Sequence, residues 1–189
     1  SPGKASWKEL VPCRDGVMVS GVDAFKGHLV LFERQDALPK LSVRDLSTGE
    51  THRIEVPEAI ASSFPEANPE YDTKTFRFSW QSFTTAPMVY DYDMATRERT
   101  LLKKTEVPGG YDPSRYRSER LYATAPDGTK VPVSVVFRKD VPRDGTAPLF
   151  LTGYGSYGAP SFVAFNPALP SLLDRGVVYA VAPVRGGGD

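Results

Sequence analysis

The sequence predicts a mixed β and α/β fold: the last blades of a β-propeller, followed by the first strands of an α/β domain. Three observations carry this prediction. Strand-like patterns recur at an offset of 48 residues in the first part of the chain. A glycine- and proline-rich break, "VPGGYDPSRYRSER", follows at residues 107–120. Beyond it the order becomes hairpin, apolar strand, helix end, apolar strand, which opens a layered α/β sheet.

The elements follow in chain order. "WKELVP" reads as the outer strand of an earlier blade. "GVMVSGVDAF", "HLVLFER", "KLSVRDL" and "THRIEV" are β-like, with turn signals at Asp15-Gly16, Lys26-Gly27 and Thr48-Gly49. "FRFSWQS", "APMVYDYDMAT" and "ERTLLKK" then repeat the order. Pro39 and Pro87, Asp45 and Asp93, Thr48 and Thr96, and Glu50 and Glu98 are each 48 apart. The apolar pairs Val30/Phe78, Phe32/Trp80, Leu41/Val89 and Leu46/Met94 share that offset. Propeller blades run to roughly 40 to 50 residues. The shared Asp-x-x-Thr-x-Glu element is read as a hairpin turn rather than a site. Two blades do not close a propeller, which needs about four or more. The chain is therefore expected to begin partway through one.

After the break, "RLYATAPDGTKVPVSVVFRK" is a hairpin around Asp127-Gly128. "PLFLTG" has the continuous apolar character of a strand buried on both faces. "SLLDRG" reads as a helix end closed by Gly176. "VVYAVAPVRGGGD" is a second buried strand ending in glycines.

The 189 residues carry 23 basic and 23 acidic side chains, so there is no basic excess for nucleic acid or an anionic membrane. No apolar run approaches the roughly 20 residues of a membrane span, and "SPGKASWKEL" has no apolar signal core. Cys13 is the only cysteine, which excludes an internal disulfide and a cysteine metal cluster. The two histidines, His28 and His52, both precede the break and read as solvent-facing strand residues.

The stretch "PLFLTGYGSYGAP", residues 148–160, admits three functions. Gly153, Gly155 and Gly158 match G-x-G-x-x-G, a dinucleotide fingerprint. That reading needs a helix directly after the glycines, and Pro160, Pro167 and Pro170 interrupt the segment. Ser156 as a nucleophile needs G-x-S-x-G, but Tyr154 stands two residues before it. No histidine follows His52, so Ser156 has no base in its own domain. The third reading sets the loop beside an oxyanion hole, with Tyr154 aiming a donor at the developing charge. Position alone leaves open whether Tyr154 does this or simply packs at a strand end.

"GYGSYGAP", "SLLDRGVVYAVAPVRGGGD" and "YRSERLYATAPDGTKVPVSVVFRKD" together resemble the prolyl oligopeptidase family of serine peptidases, its oligopeptidase B branch above all. "TEVPGGYDPSRYRSERL" resembles that branch's linker into its hydrolase domain. The likeness is dense over residues 105–189 and looser, though in register, through the two blades.

The resemblance implies a β-propeller capping an α/β-hydrolase domain in a cytoplasmic enzyme that cleaves short peptides after Arg or Lys; a proline-specific or acylaminoacyl peptidase of the same family and a non-catalytic propeller scaffold are the alternatives. It implies a propeller part at residues 1–111, a hinge linker at 112–118 and the start of the peptidase domain at 119–189. Tyr154 falls on the family tyrosine whose hydroxyl helps form the oxyanion hole. Gly153, Gly155 and Gly158, with Arg185, Gly186, Gly187 and Gly188, fall on glycine loops near that site. Thr152, Pro183 and Asp189 depart from the residues usual there (Tyr, His and Glu). The resemblance implies no metal or organic cofactor, and its partners are peptide substrates and the remainder of the hydrolase domain. The Ser-Asp-His triad and the basic-residue pocket are expected beyond Asp189, so the chain is expected to be inactive alone.

Overall fold

The computed structural model describes residues 3–186. β1 (Val17–Ala24), β2 (His28–Gln35), β3 (Leu38–Asp45) and β4 (Thr51–Arg53) form an antiparallel meander in sequence order. β5 (Ala61–Pro65), β6 (Thr75–Ser82), β7 (Met88–Asp93) and β8 (Arg99–Lys104) form a second one. Neither sheet is closed on itself.

The repeat is a repeat of hydrogen bonds. Asp45 Oδ1 accepts from the backbone N–H groups of Ser47 and Thr48, at 2.7 and 2.9 Å. Asp93 Oδ1 accepts from Ala95 and Thr96, both at 2.8 Å. The Glu50 and Glu98 N–H groups donate to the hydroxyls of Thr48 and Thr96. Each hairpin thus has an Asx-type start that stands in for a backbone turn. Gly49 and Arg97 hold the equivalent left-handed position, at φ 77° and 68°. Arg97 also donates to Glu50, at 2.5 Å, tying one hairpin to the other.

The offset fails in the first strand of each meander. Residues 25–27 connect β1 to β2, whereas residues 66–74 connect β5 to β6. The longer connection displaces β5 from the position its counterpart occupies. β5, "ASSFP", is a strand that sequence pattern does not announce, with two serines where apolar residues are expected. Residues 4–6 form a 3-10 turn, and "WKELVP" is not a strand. Trp7 is exposed, and the described residues offer that segment no neighbouring strand to satisfy its backbone groups.

The two meanders face one another across a shared apolar core. Val30, Leu41, Val43 and Ile54 of the first meet Phe76, Phe78, Trp80, Tyr92 and Met94 of the second. His28 lies at this core's margin and is buried, contrary to the solvent-facing expectation. Its counterpart at the 48-residue offset is Phe76, also buried, so the repeat itself marks the position as inward. His52 is half-buried and its Nε2 lies 2.9 Å from the Tyr92 hydroxyl, bridging the meanders.

Glu33 on β2 is buried as a charge. It pairs with Arg14, accepts from Ser42 Oγ at 2.7 Å and meets Arg53 at 3.3 Å. Burial opposes its ionisation, but the hydrogen bonds from Arg14 and Ser42 and the two guanidinium charges outweigh it and hold the carboxyl below its ordinary range. A lowered folded-state pKa contributes stability that is present above the unfolded value and lost as pH falls through the folded one. The urea midpoint is therefore expected to fall on acidification below about pH 5, and Glu33→Gln to lose that part of the slope. Equal slopes in the two proteins would contradict this.

The second half forms a different sheet. β9 (Tyr116–Thr124) and β10 (Lys130–Arg138) make the expected hairpin, with Gly128 at φ 87°. β11 (Leu149–Thr152) is followed by a two-residue-strand hairpin, β12 (Gly155–Ser156) and β13 (Ala159–Pro160). Next come α1 (Leu169–Leu173), then Gly176 at φ 80° closing the turn after it, and β14 (Val178–Val181). The strand order is β11-β14-β10-β9, with β11 and β14 parallel. Leu169 and Leu173 of α1 pack beneath Val136 and Val181.

This order corrects one burial expectation and meets another. β11 was expected to be buried on both faces, yet it is the sheet edge, and Leu149, Phe150 and Leu151 are exposed. β14 is the buried strand its sequence predicts: it sits between β11 and β10, with Ala180 and Val181 buried and Val178 and Tyr179 half-buried. The break at 112–118 also differs from a simple spacer. Residues 113–115 form a 3-10 turn capped by Asp112, and Tyr116 already begins β9 and is buried. Leu38 and Phe83 of the meanders join Tyr116, Val163 and Leu173 in one cluster that crosses the break. Tyr111 stacks on Tyr116 and donates to the Thr84 carbonyl at 2.9 Å.

Candidate functional site

The glycine loop after β11 is held against the chain leaving β14, and its glycines are the reason it fits. An added Cβ on Gly153 would lie 2.5 Å from the Ala182 carbonyl oxygen. One on Gly155 would lie 2.5 Å from the carbonyl oxygens of both Val184 and Arg185. Gly186 adopts φ 92°, and a Cβ there would run into the Gly155 carbonyl. The Gly158 N–H donates to the Gly186 carbonyl at 3.2 Å, and the Ala182 N–H to Thr152 at 2.9 Å. The two segments therefore lie backbone to backbone, with no room for side chains between them.

This packing decides among the readings of the loop. No helix opens after Gly158; the chain turns back as the β12–β13 hairpin, and α1 begins only at Leu169. The loop thus lacks the helix N-terminus that holds a pyrophosphate. Ser156 lies on the exposed β12, and both histidines lie in the first meander. Tyr154 stands between the contacts of Gly153 and Gly155, and its side chain is 49% exposed. Among the described residues its hydroxyl has no hydrogen-bond partner. Gly187 and Gly188 lie outside the described residues.

A cavity of about 590 Å³ opens between the first meander and this region. Arg14 and Asp36 line one wall, and Tyr122, Lys130, Pro183 and Arg185 the other. Tyr154 is not among the described residues of that wall; the site reaches it through Val184 and Arg185, which touch Gly155. Arg120 of β9 also joins the two sides, donating to the Asp36 carbonyl and to Ser134 Oγ. Asp36 and Ala37 turn β2 into β3 with both residues at positive φ, although neither is glycine.

One contributor was not visible as such in the sequence. Asp127 reads as a turn residue, and it does accept from the Thr129 N–H at 3.1 Å. It also receives Arg185 Nη1 at 2.5 Å. That hydrogen bond, with those from Thr129, pulls its carboxyl down to about 2.

Gly155→Ala is expected to force the two segments apart, lowering stability by roughly 1 to 3 kcal/mol. Gly27→Ala, with open space around the added atom, serves as the control. Thermal unfolding of both variants checks this, and equal midpoints would contradict the close packing.

The architecture is that of two propeller-type meanders carrying a mixed sheet with a glycine-packed loop. The family profile described as prolyl oligopeptidase, N-terminal beta-propeller domain, matches residues 1–105. The chain belongs to the prolyl oligopeptidase family. It is 45% identical to dipeptidyl aminopeptidase BI of Pseudoxanthomonas mexicana over 99% of this chain and 26% of that protein. It is 32% identical to protease 2 of Moraxella lacunata, over 96% of this chain and 24% of that one. Its fold matches oligopeptidase B from Trypanosoma brucei, with covalently bound antipain in a closed form, at a TM-score of 0.86 and 34% identity. That match covers 95% of this chain and 26% of the trypanosomal one. The chain thus spans about a quarter of the length of the relatives it matches.

Proposed function

We propose that the chain is part of a cytoplasmic serine-type oligopeptidase that hydrolyses short peptides after Arg or Lys. In this reading residues 1–111 belong to the propeller, 112–118 to the connection and 119–189 to the start of an α/β-hydrolase domain. The observation that carries it is the loop at 153–158, packed on 182–186 with Tyr154 projecting from it. Tyr154 is the oxyanion donor, and Gly153, Gly155, Gly158, Arg185 and Gly186 set its position, with Gly187 and Gly188 continuing the segment. The parallel β11–β14 pair with α1 beneath the sheet supports the domain assignment. The exposed β11 edge fits the remainder of the same domain as its cover. The 189 residues alone are expected to be inactive, because no histidine follows His52 to serve as a base for any serine of β9 to β14.

A second reading, release of dipeptides from a free N-terminus, is favoured by the 45% identity to a protein named dipeptidyl aminopeptidase BI. Full-length enzyme assayed on peptidyl amides with blocked and free N-termini, each carrying Arg, Lys or Pro before the scissile bond, separates the readings. Cleavage of blocked arginyl and lysyl amides supports the first. Strict need for a free N-terminus with dipeptide products supports the second, and preference for Pro contradicts the basic specificity.

A further inference from the structure

The segment that backs the glycine loop leaves the sheet after Val181. It contains Pro183, which has no N–H to donate. It meets the loop at three points in a row: Ala182 with Thr152, Val184 and Arg185 with Gly155, and Gly186 with Gly158. Tyr154 lies between the first two. The side-chain anchor of this segment is Arg185, which reaches across to the tip of the β9–β10 hairpin and donates to Asp127 Oδ2 at 2.5 Å. That tip is fixed in its own right. Gly128 N–H donates to the Ala125 carbonyl and Ala125 N–H to the Thr129 carbonyl, both at 2.9 Å. Thr129 N–H donates to Asp127 Oδ1. A hairpin tip closed by its own bonds therefore adds a side-chain tie to a segment that also bonds the loop through the Ala182 N–H and the Gly186 carbonyl, and that segment holds the loop bearing Tyr154.

We propose that Asp127 is a positioning residue that, through Arg185, fixes where Tyr154 presents its hydroxyl. This rests on the reading of Tyr154 as an oxyanion donor. Such a donor acts at a defined point, and displacement of reacting groups by about 1 Å can cost as much as 10² in rate. Both partners of the pair are about half exposed, so the bond is of the weak, solvent-screened kind and the effect is a few-fold one.

The test uses the full-length enzyme, a peptidyl amide substrate and Asp127→Asn. Asparagine keeps the acceptor for Thr129 and suits the turn, while removing the charge that holds Arg185. The expected result is a fall in kcat of about five-fold with KM nearly unchanged, and Asp127→Glu close to wild type. In a Tyr154→Phe background the same Asp127→Asn change is expected to cost nothing further, because the group it positions is gone. Equal losses in both backgrounds would overturn the proposal, since the pair would then act on the domain at large. So would a costly Tyr154→Phe with a silent Asp127→Asn, which leaves the donor standing. A silent Tyr154→Phe would remove the donor and, with it, the role of Asp127.

Discussion

Tyr154→Phe in the full-length enzyme is expected to lower kcat/KM by roughly 10² to 10³, with the loss falling mainly on kcat. The change removes one hydroxyl and almost no volume. Tyr154 is half-exposed and its hydroxyl has no partner among the described residues, so no buried group is left unpaired and folding is expected to survive. The loop that carries it is held by backbone contacts of Gly153, Gly155 and Gly158, none of which involves the tyrosine ring. A hydroxyl that stabilises only the developing oxyanion affects the transition state and not substrate binding, so KM is expected to stay near its wild-type value. Steady-state kinetics on an arginyl amide is the measurement, with an unchanged thermal midpoint as the folding control. An unchanged kcat/KM would leave the glycine loop with a structural role alone.

Phe78→Ala is expected to lower the stability of the first half by about 3 to 5 kcal/mol. Phe78 is fully buried between the two meanders. Its ring stacks on Tyr90 at 5.8 Å and meets the edge of Tyr92 at 6.2 Å, with Phe76 alongside at 6.5 Å. Removing it opens a cavity in a core supplied by both sheets, and stiff strands collapse poorly around such a hole. Leu102→Ala on the exposed β8 is the comparison, expected to stay within about 0.5 kcal/mol. Urea unfolding of the two variants decides it. A Phe78→Ala cost below about 1 kcal/mol would mean that the meanders do not share a core.

What the sequence made legible was whatever is settled by local bonds. Asp45 and Asp93 close their hairpins with bonds to residues two and three positions on, so the spacing alone encodes the turn. Gly128 and Gly176 likewise occupy left-handed positions that their neighbours announce. Burial was less legible, because it depends on which strand lies next to which. "PLFLTG" is apolar enough for a central strand, yet β14 inserts between it and β10 and leaves it at the edge. His28 reads as polar, while its place in the repeat is that of Phe76. β5 goes unannounced because Ser62 and Ser63 are buried on a strand at the end of its sheet, with no apolar alternation to signal it. The candidate site divides in the same way. The glycines and Tyr154 stand out along the chain, but the partner of Arg185 lies 58 residues away, at a hairpin tip, and only the fold brings Asp127 to it.

The most direct test of the account is a crystal structure of the full-length protein with a peptide aldehyde ending in arginine. In the proposed serine peptidase, attack by its serine would leave a tetrahedral adduct whose oxygen marks the oxyanion site. The Tyr154 hydroxyl is expected about 2.7 to 3.1 Å from that oxygen, with the 153–158 loop still packed on 182–186. A Tyr154 side chain turned away from the adduct, with that oxygen held by other donors, would contradict it.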